Sequence, residues 1–261
     1  RKLGVTALAS SLVAVGAQAG EMGVNGTANF TWAQKDGTEG KSIGTDKGLT
    51  ISGSGELDNG WTFYVGTYFS DAITLSTHVT TLTLGSLGTI KAGAGFGGAG
   101  AKYDEEVPQA YEQTSDAYQN SSNLVGASLD NNALVYASPS YEMGGATVSF
   151  DVAYSQDAHD NAVNNGGVGT QSDTYGEGYG LGVTVTTGGL TVGVYADERE
   201  NTRADIAGTD KYSDAFTGTW YAKYSAGPVS FGYQASYYDS GLIGSGGAAT
   251  SAKTVGTSTG Y

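Results

Sequence analysis

Apolar and polar side chains alternate along most of the chain. The first alternating segment has its apolar residues an even number of positions apart, at Met22, Val24, Ala28, Phe30 and Trp32. A period of two is typical of a β-strand with one apolar and one polar face. About eleven segments follow this template, and its phase is least regular at residues 75–84 and 131–138. The pattern therefore predicts an all-β protein.

Short and long connections alternate between these segments. The short ones are glycine-containing turns, such as Asp58-Asn59-Gly60 and Gly188-Gly189. The long ones are the polar stretches at residues 33–47, 96–130, 157–177, 199–213 and 240–261. Tight turns at one end and long loops at the other are typical of outer-membrane barrels. The sequence thus predicts a transmembrane antiparallel up-and-down β-barrel with external long loops.

A soluble β-sandwich would also bury one apolar face. Alternation alone therefore does not show whether that face meets lipid or a protein core. Three features favour lipid. The strands have about ten residues, the length of a tilted membrane crossing, and charges are nearly absent from the apolar phase. Aromatic residues also lie near strand ends, as in an interfacial girdle: Trp32, Trp61, Phe69, Tyr154, Tyr224 and Tyr237.

The first nineteen residues differ from the rest. Arg1 and Lys2 precede an apolar stretch at residues 3–15, and Ala17-Gln18-Ala19 follows it. Basic, apolar and small-residue segments in this order are typical of a secretory signal peptide. The sequence therefore predicts a signal peptide at 1–19 and an exported β-barrel domain at 20–261.

Composition excludes several classes of function. The formal net charge is −14, which argues against a nucleic-acid partner, because such proteins need clustered Lys and Arg. The absence of cysteine and the presence of only two histidines leave little for a thiolate metal site, a cysteine nucleophile or a histidine relay. The apolar runs are shorter than the ~20 residues of a spanning helix. We expect no enzymatic activity.

Three segments resemble the general diffusion porins of Gram-negative outer membranes, of the alphaproteobacterial type. They are GELDNGW at 55–61, LGSLGTIKAG at 84–93 and NNALVYASP at 131–139. The resemblance covers residues 20–239 and implies sixteen strands, a homotrimer, surrounding outer-membrane lipid, and a third external loop folded inward. Since barrels of this kind have an even number of strands, about five more are expected downstream, and the chain is expected to be a fragment truncated at both ends.

The long connection at 96–130 occupies the position of that inward-folded loop, and we call it the constriction loop. Its charged residues are Lys102, Asp104, Glu105, Glu106, Glu112 and Asp116. Folded into a lumen, the carboxylates would favour cations. A solvated acidic loop on the outer surface is the alternative.

Strand phase supplies the candidate pore wall. The charged residues on polar phases are Glu56, Lys91, Asp151, Asp197 and Lys223. Two lysines against three carboxylates do not form the basic ladder of an anion-selective channel. The sequence thus predicts a weakly cation-preferring passive channel for small hydrophilic solutes and ions.

Two further hypotheses stay open. Hard cations bind clustered carboxylate oxygens, so calcium could bind among residues 104–106 or beside His159; no other cofactor is expected. The alternative function is that of a non-transporting secreted or surface β-protein, either an adhesin or a plugged barrel.

Overall fold

The computed structural model describes residues 20–33, 42–70, 73–107, 125–126, 128–158, 175–203, 211–243 and 253–260. The chain divides into two units, Arg1–Lys91 and Ala92–Tyr261. Regular structure in the described ranges is extended, apart from two short 3₁₀ turns at Gly85–Leu87 and Gly100–Lys102. None of the helical turns in these ranges has the length and apolar character needed to cross a membrane. The predicted signal peptide lies outside the described residues.

The first unit is an antiparallel meander. Its strands are β1 (Glu21–Ala33), β2 (Ser42–Glu56), β3 (Thr62–Phe69) and β4 (Leu75–Thr83), while β5 (Thr89–Ala94) crosses the boundary between units. Val24 pairs with Ile51, and Phe63 pairs with Leu82. Antiparallel partners share a face, so the register places the apolar phases on one side, as predicted.

The predicted first loop, residues 33–47, is too long. β2 already begins at Ser42, and its residues 42–47 pair with residues 28–33 of β1. Ladder hydrogen bonds join backbone groups, so a strand can extend through polar residues that periodicity assigns to a loop.

The second unit contains the remaining strands. They are β6 (Ala133–Ala137), β7 (Tyr141–Met143), β8 (Ala146–Ser155), β9 (Tyr175–Thr187), β10 (Leu190–Asn201), β11 (Lys211–Tyr212), β12 (Ala215–Ala226), β13 (Val229–Asp239), β14 (Leu242–Ile243) and β15 (Lys253–Gly260). Neighbours follow the order β6-β8-β9-β10-β12-β13-β15; β7 pairs with β8, and β11 with β14. The prediction of a loop throughout 240–261 was wrong, because β15 pairs with β13.

The two faces of this second sheet differ in chemistry. One face, the loop-bearing face, carries residues that are polar and yet at most 5% exposed: Asp151, Asp197, Thr217, Thr219, Gln234 and Ser236. The opposite, apolar face exposes large side chains, among them Val152, Leu181, Val194, Trp220 and Phe231. Covered polar groups and exposed apolar ones are the arrangement expected for a sheet in lipid.

Aromatic pairs lie towards both ends of the strands on the apolar face. Tyr154 and Tyr179 have ring centroids 5.3 Å apart at the long-loop end. Tyr224 and Phe231 are 5.6 Å apart beside the tight turn between β12 and β13. Two aromatic levels on one face match the girdles of a membrane-spanning sheet.

Candidate pore constriction

The described parts of the constriction loop, 96–107 and 125–130, form the core of the second unit together with the loop-bearing face. A glycine-rich run with positive φ at Gly95, Gly97 and Gly98 allows the chain to turn onto the loop-bearing face after β5. Gly98 has φ +56°, and a Cβ there would overlap the Leu129 carbonyl. The Gly97 N–H donates to the Asp130 carboxylate, and the Gly95 N–H donates to Asn131 Oδ1 at 2.9 Å. These contacts join the two arms of the loop at its base.

Tyr103 anchors the first arm of the loop. Its side chain is fully buried. The ring stacks on Tyr195 of β10, with centroids 5.3 Å apart, and is tilted against Tyr221 of β12 at 6.5 Å. It also covers Gly182 of β9, where a Cβ would overlap the ring. The close approach of ring and strand therefore requires glycine at position 182.

Alternate glycines on β9 leave space for side chains that pack on the loop-bearing face. The sequence YGEGYGLG at 175–182 places Gly178, Gly180 and Gly182 on that face. Leu129 lies over Gly178, the Tyr195 hydroxyl over Gly180, and Tyr103 over Gly182. The apolar phase of this strand, Leu181, Val183 and Val185, predicts the lipid face alone. The alternation of glycines was the available signal that other side chains pack closely against the opposite face of β9.

Asp151 receives two donors from the loop. Its Oδ2 accepts from the Tyr103 hydroxyl and from Lys102 Nζ, each at 2.6 Å. Burial raises the pKa of the Tyr103 phenol well above its usual value, and the hydrogen bond to Asp151 raises it further. The tyrosine therefore stays protonated and can donate. Predicted loop residue Lys102 and predicted wall residue Asp151 are thus in contact.

The Gln234 side chain of β13 forms hydrogen bonds with the backbone of the loop. Its side chain is fully buried. Nε2 donates to the Tyr103 carbonyl at 3.0 Å and to Thr219 Oγ1 at 3.1 Å, and Oε1 accepts from the Glu106 N–H at 2.8 Å. Sequence reasoning missed this residue, because one glutamine on a polar strand phase carries no distinguishing signal.

Two more predicted wall residues contact the loop. Lys223 forms an ion pair with Glu106. Asp197 accepts a hydrogen bond from Ser128, which lies on the second arm of the loop. Residues that are distant in sequence are therefore brought together on the loop-bearing face.

Asp104 and Glu105 lie on the first arm and are half-buried. The Asp104 carboxylate rests against Gly126, and its Oδ1 is buried without a hydrogen-bond partner among the described residues. Burial raises the pKa of Asp104 to about 7, and repulsion from the Glu105 carboxylate adds to the shift. Asp104 therefore changes charge near neutral pH.

The remaining predicted residues lie elsewhere. Glu56 is exposed at the end of β2, and Lys91 is exposed in β5; both belong to the first unit. Glu112 and Asp116 fall outside the described residues, as does His159. Within the part of the chain that the structure describes, no group of three or more His, Asp or Glu side chains could hold a metal ion.

Three comparisons with known proteins bear on this arrangement. The model of the Gram-negative porin family matches residues 4–261, whereas no curated protein matches the chain. Among solved structures, a porin refined at 1.8 Å resolution is 16% identical, with 91% of this chain and 76% of that chain covered and a TM-score of 0.54. This likeness shows a shared fold.

Two other solved structures match with lower TM-scores. A double mutant of Rh. blastica porin is 14% identical, with 91% of this chain and 99% of that chain covered and a TM-score of 0.37. A loop-deletion mutant of OmpT, an outer membrane protein of Vibrio cholerae, is 12% identical, with coverages of 84% and 87% and a TM-score of 0.37. Because the family model spans nearly the whole sequence, the chain belongs to the Gram-negative porin family, whose members are β-barrels of the outer membrane.

Proposed function

We propose that the protein is a passive, water-filled channel for small hydrophilic solutes and ions, narrowed by the constriction loop and weakly cation-preferring. The observation that carries this proposal is the attachment of the loop to the loop-bearing face through Tyr103, Asp151 and Gln234. A polar face partly covered by an attached loop narrows a lumen, and passage through it needs no chemical step.

The cation preference rests on an account of the charges. Lys102 is paired with Asp151, and Lys223 is paired with Glu106, so these four charges cancel in two pairs. The described part of the loop has four acidic residues, Asp104, Glu105, Glu106 and Asp130, against one basic residue, Lys102. Fixed carboxylates at a narrow point lower the energy of a cation and raise that of an anion. The preference is modest, because salt screens charges beyond about 8 Å at physiological ionic strength.

A salt gradient across a planar bilayer tests this preference. We expect the reversal potential of the intact gene product to indicate cation selectivity, which weakens as the salt concentration rises. The double variant Asp104→Asn, Glu105→Gln should lose most of the cation selectivity. Glu142→Gln, which removes the charge of an exposed carboxylate in β7, is the control and should keep it. Anion selectivity of the wild-type channel would contradict the proposal.

The selectivity should also depend on pH. The raised pKa of Asp104, about 7, means that the docked loop binds a proton more tightly than a free loop. Docking is therefore favoured below that pH and weakened as the pH rises through it.

The K⁺ to Cl⁻ permeability ratio is expected to be larger at about pH 8.5 than at about pH 5.5, because the Asp104 carboxylate is charged at the higher pH.

Asp104→Asn should abolish this step in permeability around pH 7. If the variant keeps the full pH dependence, another group is responsible.

A plugged barrel is the second candidate. The complete burial of Tyr103, which belongs to the loop, against the strands favours it. Single-channel recording separates the two. Discrete conductance steps support an open channel, and their absence in a correctly inserted protein supports a plug.

A further inference from the structure

Ser128 connects the second arm of the constriction loop to the strands. Its side chain is buried, and the Asp197 side chain of β10 is only 2% exposed. The Ser128 hydroxyl donates to Asp197 Oδ2 and lies 3.1 Å from the Val125 carbonyl oxygen. A buried polar group that loses its hydrogen-bond partner destabilises the structure. Ser128 and Asp197 therefore depend on each other for their position.

Asp197 has almost no contact with solvent, although strand phase predicts it as a pore-wall residue. Arg199, two positions along β10, is also buried, and its guanidinium lies 4.2 Å from the centre of the Tyr175 ring. The positive charge of Arg199 is close enough to interact with the Asp197 carboxylate. A buried carboxylate with a buried cation beside it presents little net charge to a passing ion.

Leu129, the residue after Ser128, packs the second arm against β9. It is buried over Gly178, where a Cβ would lie 2.6 Å from Leu129 Cδ2. Ala158 is buried over the same glycine, with its Cβ 3.0 Å from that position. Both side chains belong to the core of the second unit. The docked second arm therefore covers Ala158.

The two arms of the loop also touch each other. The Val125 carbonyl lies against Gly100 of the first arm, where a Cβ would overlap it. Gly100 begins the 3₁₀ turn Gly100–Lys102, which leads directly to the anchor residue Tyr103. A displacement of the second arm is therefore transmitted to the first.

We infer that Asp197 is a positioning residue, which holds the second arm of the constriction loop through Ser128 and whose charge does not set the ion selectivity. The inference rests on the proposed function, because it concerns the loop that narrows the proposed channel. It assigns to Asp197 a role different from that of Asp104 and Glu105, whose charges act on the ion.

Labelling of a cysteine at Ala158 measures the attachment of the second arm. The natural chain has no cysteine, so Ala158→Cys is a single reporter beneath this arm. The intact gene product is reconstituted into vesicles, and its rate of reaction with a charged methanethiosulfonate is measured. We expect Asp197→Leu and Ser128→Ala each to raise this rate about ten-fold, because each leaves one buried polar group unsatisfied.

A matched control removes a hydroxyl away from the loop. Ser230→Ala breaks the 2.8 Å hydrogen bond between Ser225 and Ser230 beside the tight turn between β12 and β13. It should leave the labelling of Ala158→Cys at the wild-type rate.

Asp197→Asn separates position from charge. The asparagine side-chain oxygen can still accept a hydrogen bond from the Ser128 hydroxyl, whereas the negative charge is lost. We expect the labelling rate and the K⁺ to Cl⁻ permeability ratio to stay at their wild-type values. If this variant does not fold, Asp197→Asn combined with Arg199→Gln replaces it, because the double variant removes both buried charges.

The outcomes separate the inference from the proposed function. Wild-type labelling in both Asp197→Leu and Ser128→Ala would overturn the inference, and so would faster labelling or a lower permeability ratio in Asp197→Asn. Labelling requires no current, so it decides the attachment of the second arm even in a closed barrel. Labelling as expected in a protein without conductance steps would contradict the proposed function alone.

Discussion

Replacing Gln234 with leucine should undock the constriction loop and widen the channel. Leucine keeps the approximate volume but leaves the Tyr103 carbonyl and the Glu106 N–H without the partners that they have in the wild type. Each unsatisfied buried group costs about 1–3 kcal/mol. Because pore diameter governs conduction, we expect the single-channel conductance to rise about two-fold or more and larger polymers to enter.

Two further variants make this expectation specific. Gln156→Leu changes an exposed glutamine just after β8 and should leave conductance unchanged. Gly182→Val puts a side chain where the Tyr103 ring lies, so it should reproduce the wide channel by a different route. If Gln234→Leu and Gly182→Val both insert normally and conduct like the wild type, the loop does not narrow the pore.

A lysine at Val183 should prevent stable insertion. Val183 lies on the apolar face of β9 and is 38% exposed. A lysine facing hydrocarbon at mid-membrane costs about 2–4 kcal/mol. We expect the folded, heat-modifiable form on unheated gels to decrease strongly, and the urea concentration that unfolds the protein in vesicles to fall.

Thr186→Lys is the companion variant, three residues further along the same strand and on the opposite face. A lysine there faces the loop-bearing side and should be tolerated. If both variants lose the folded form to a similar extent, the two faces of β9 meet the same solvent.

The strand phases were predictable because each follows from residues two positions apart. The alternation of Phe150, Val152 and Tyr154 with Ser149, Asp151 and Ala153 reappears in the structure as an apolar face and a loop-bearing face. Strand ends were less predictable. β2 and β15 extend through polar residues, since their backbone pairing does not depend on side-chain polarity.

The contacts of the constriction loop could not be predicted from the sequence. Lys223 and Glu106 were each predicted as charged pore residues, but their mutual ion pair joins positions 117 apart in sequence. Gln234 went unnoticed for the same reason, because its partners belong to a loop 128 and 131 positions away. Local periodicity assigns a residue to a face, whereas contacts between distant segments depend on the assembled fold.

Cysteine labelling tests the central claim, that opposite faces of each strand meet lipid and water. The natural chain has no cysteine, so every introduced thiol is a single reporter. Cysteines are placed at Val183 and Val194 on the apolar face, and at Thr186 and Thr191 on the other. We expect a charged, membrane-impermeant maleimide to label the two threonine positions in intact proteoliposomes and to label all four after denaturation. Equal labelling of all four positions in the folded protein would contradict the account.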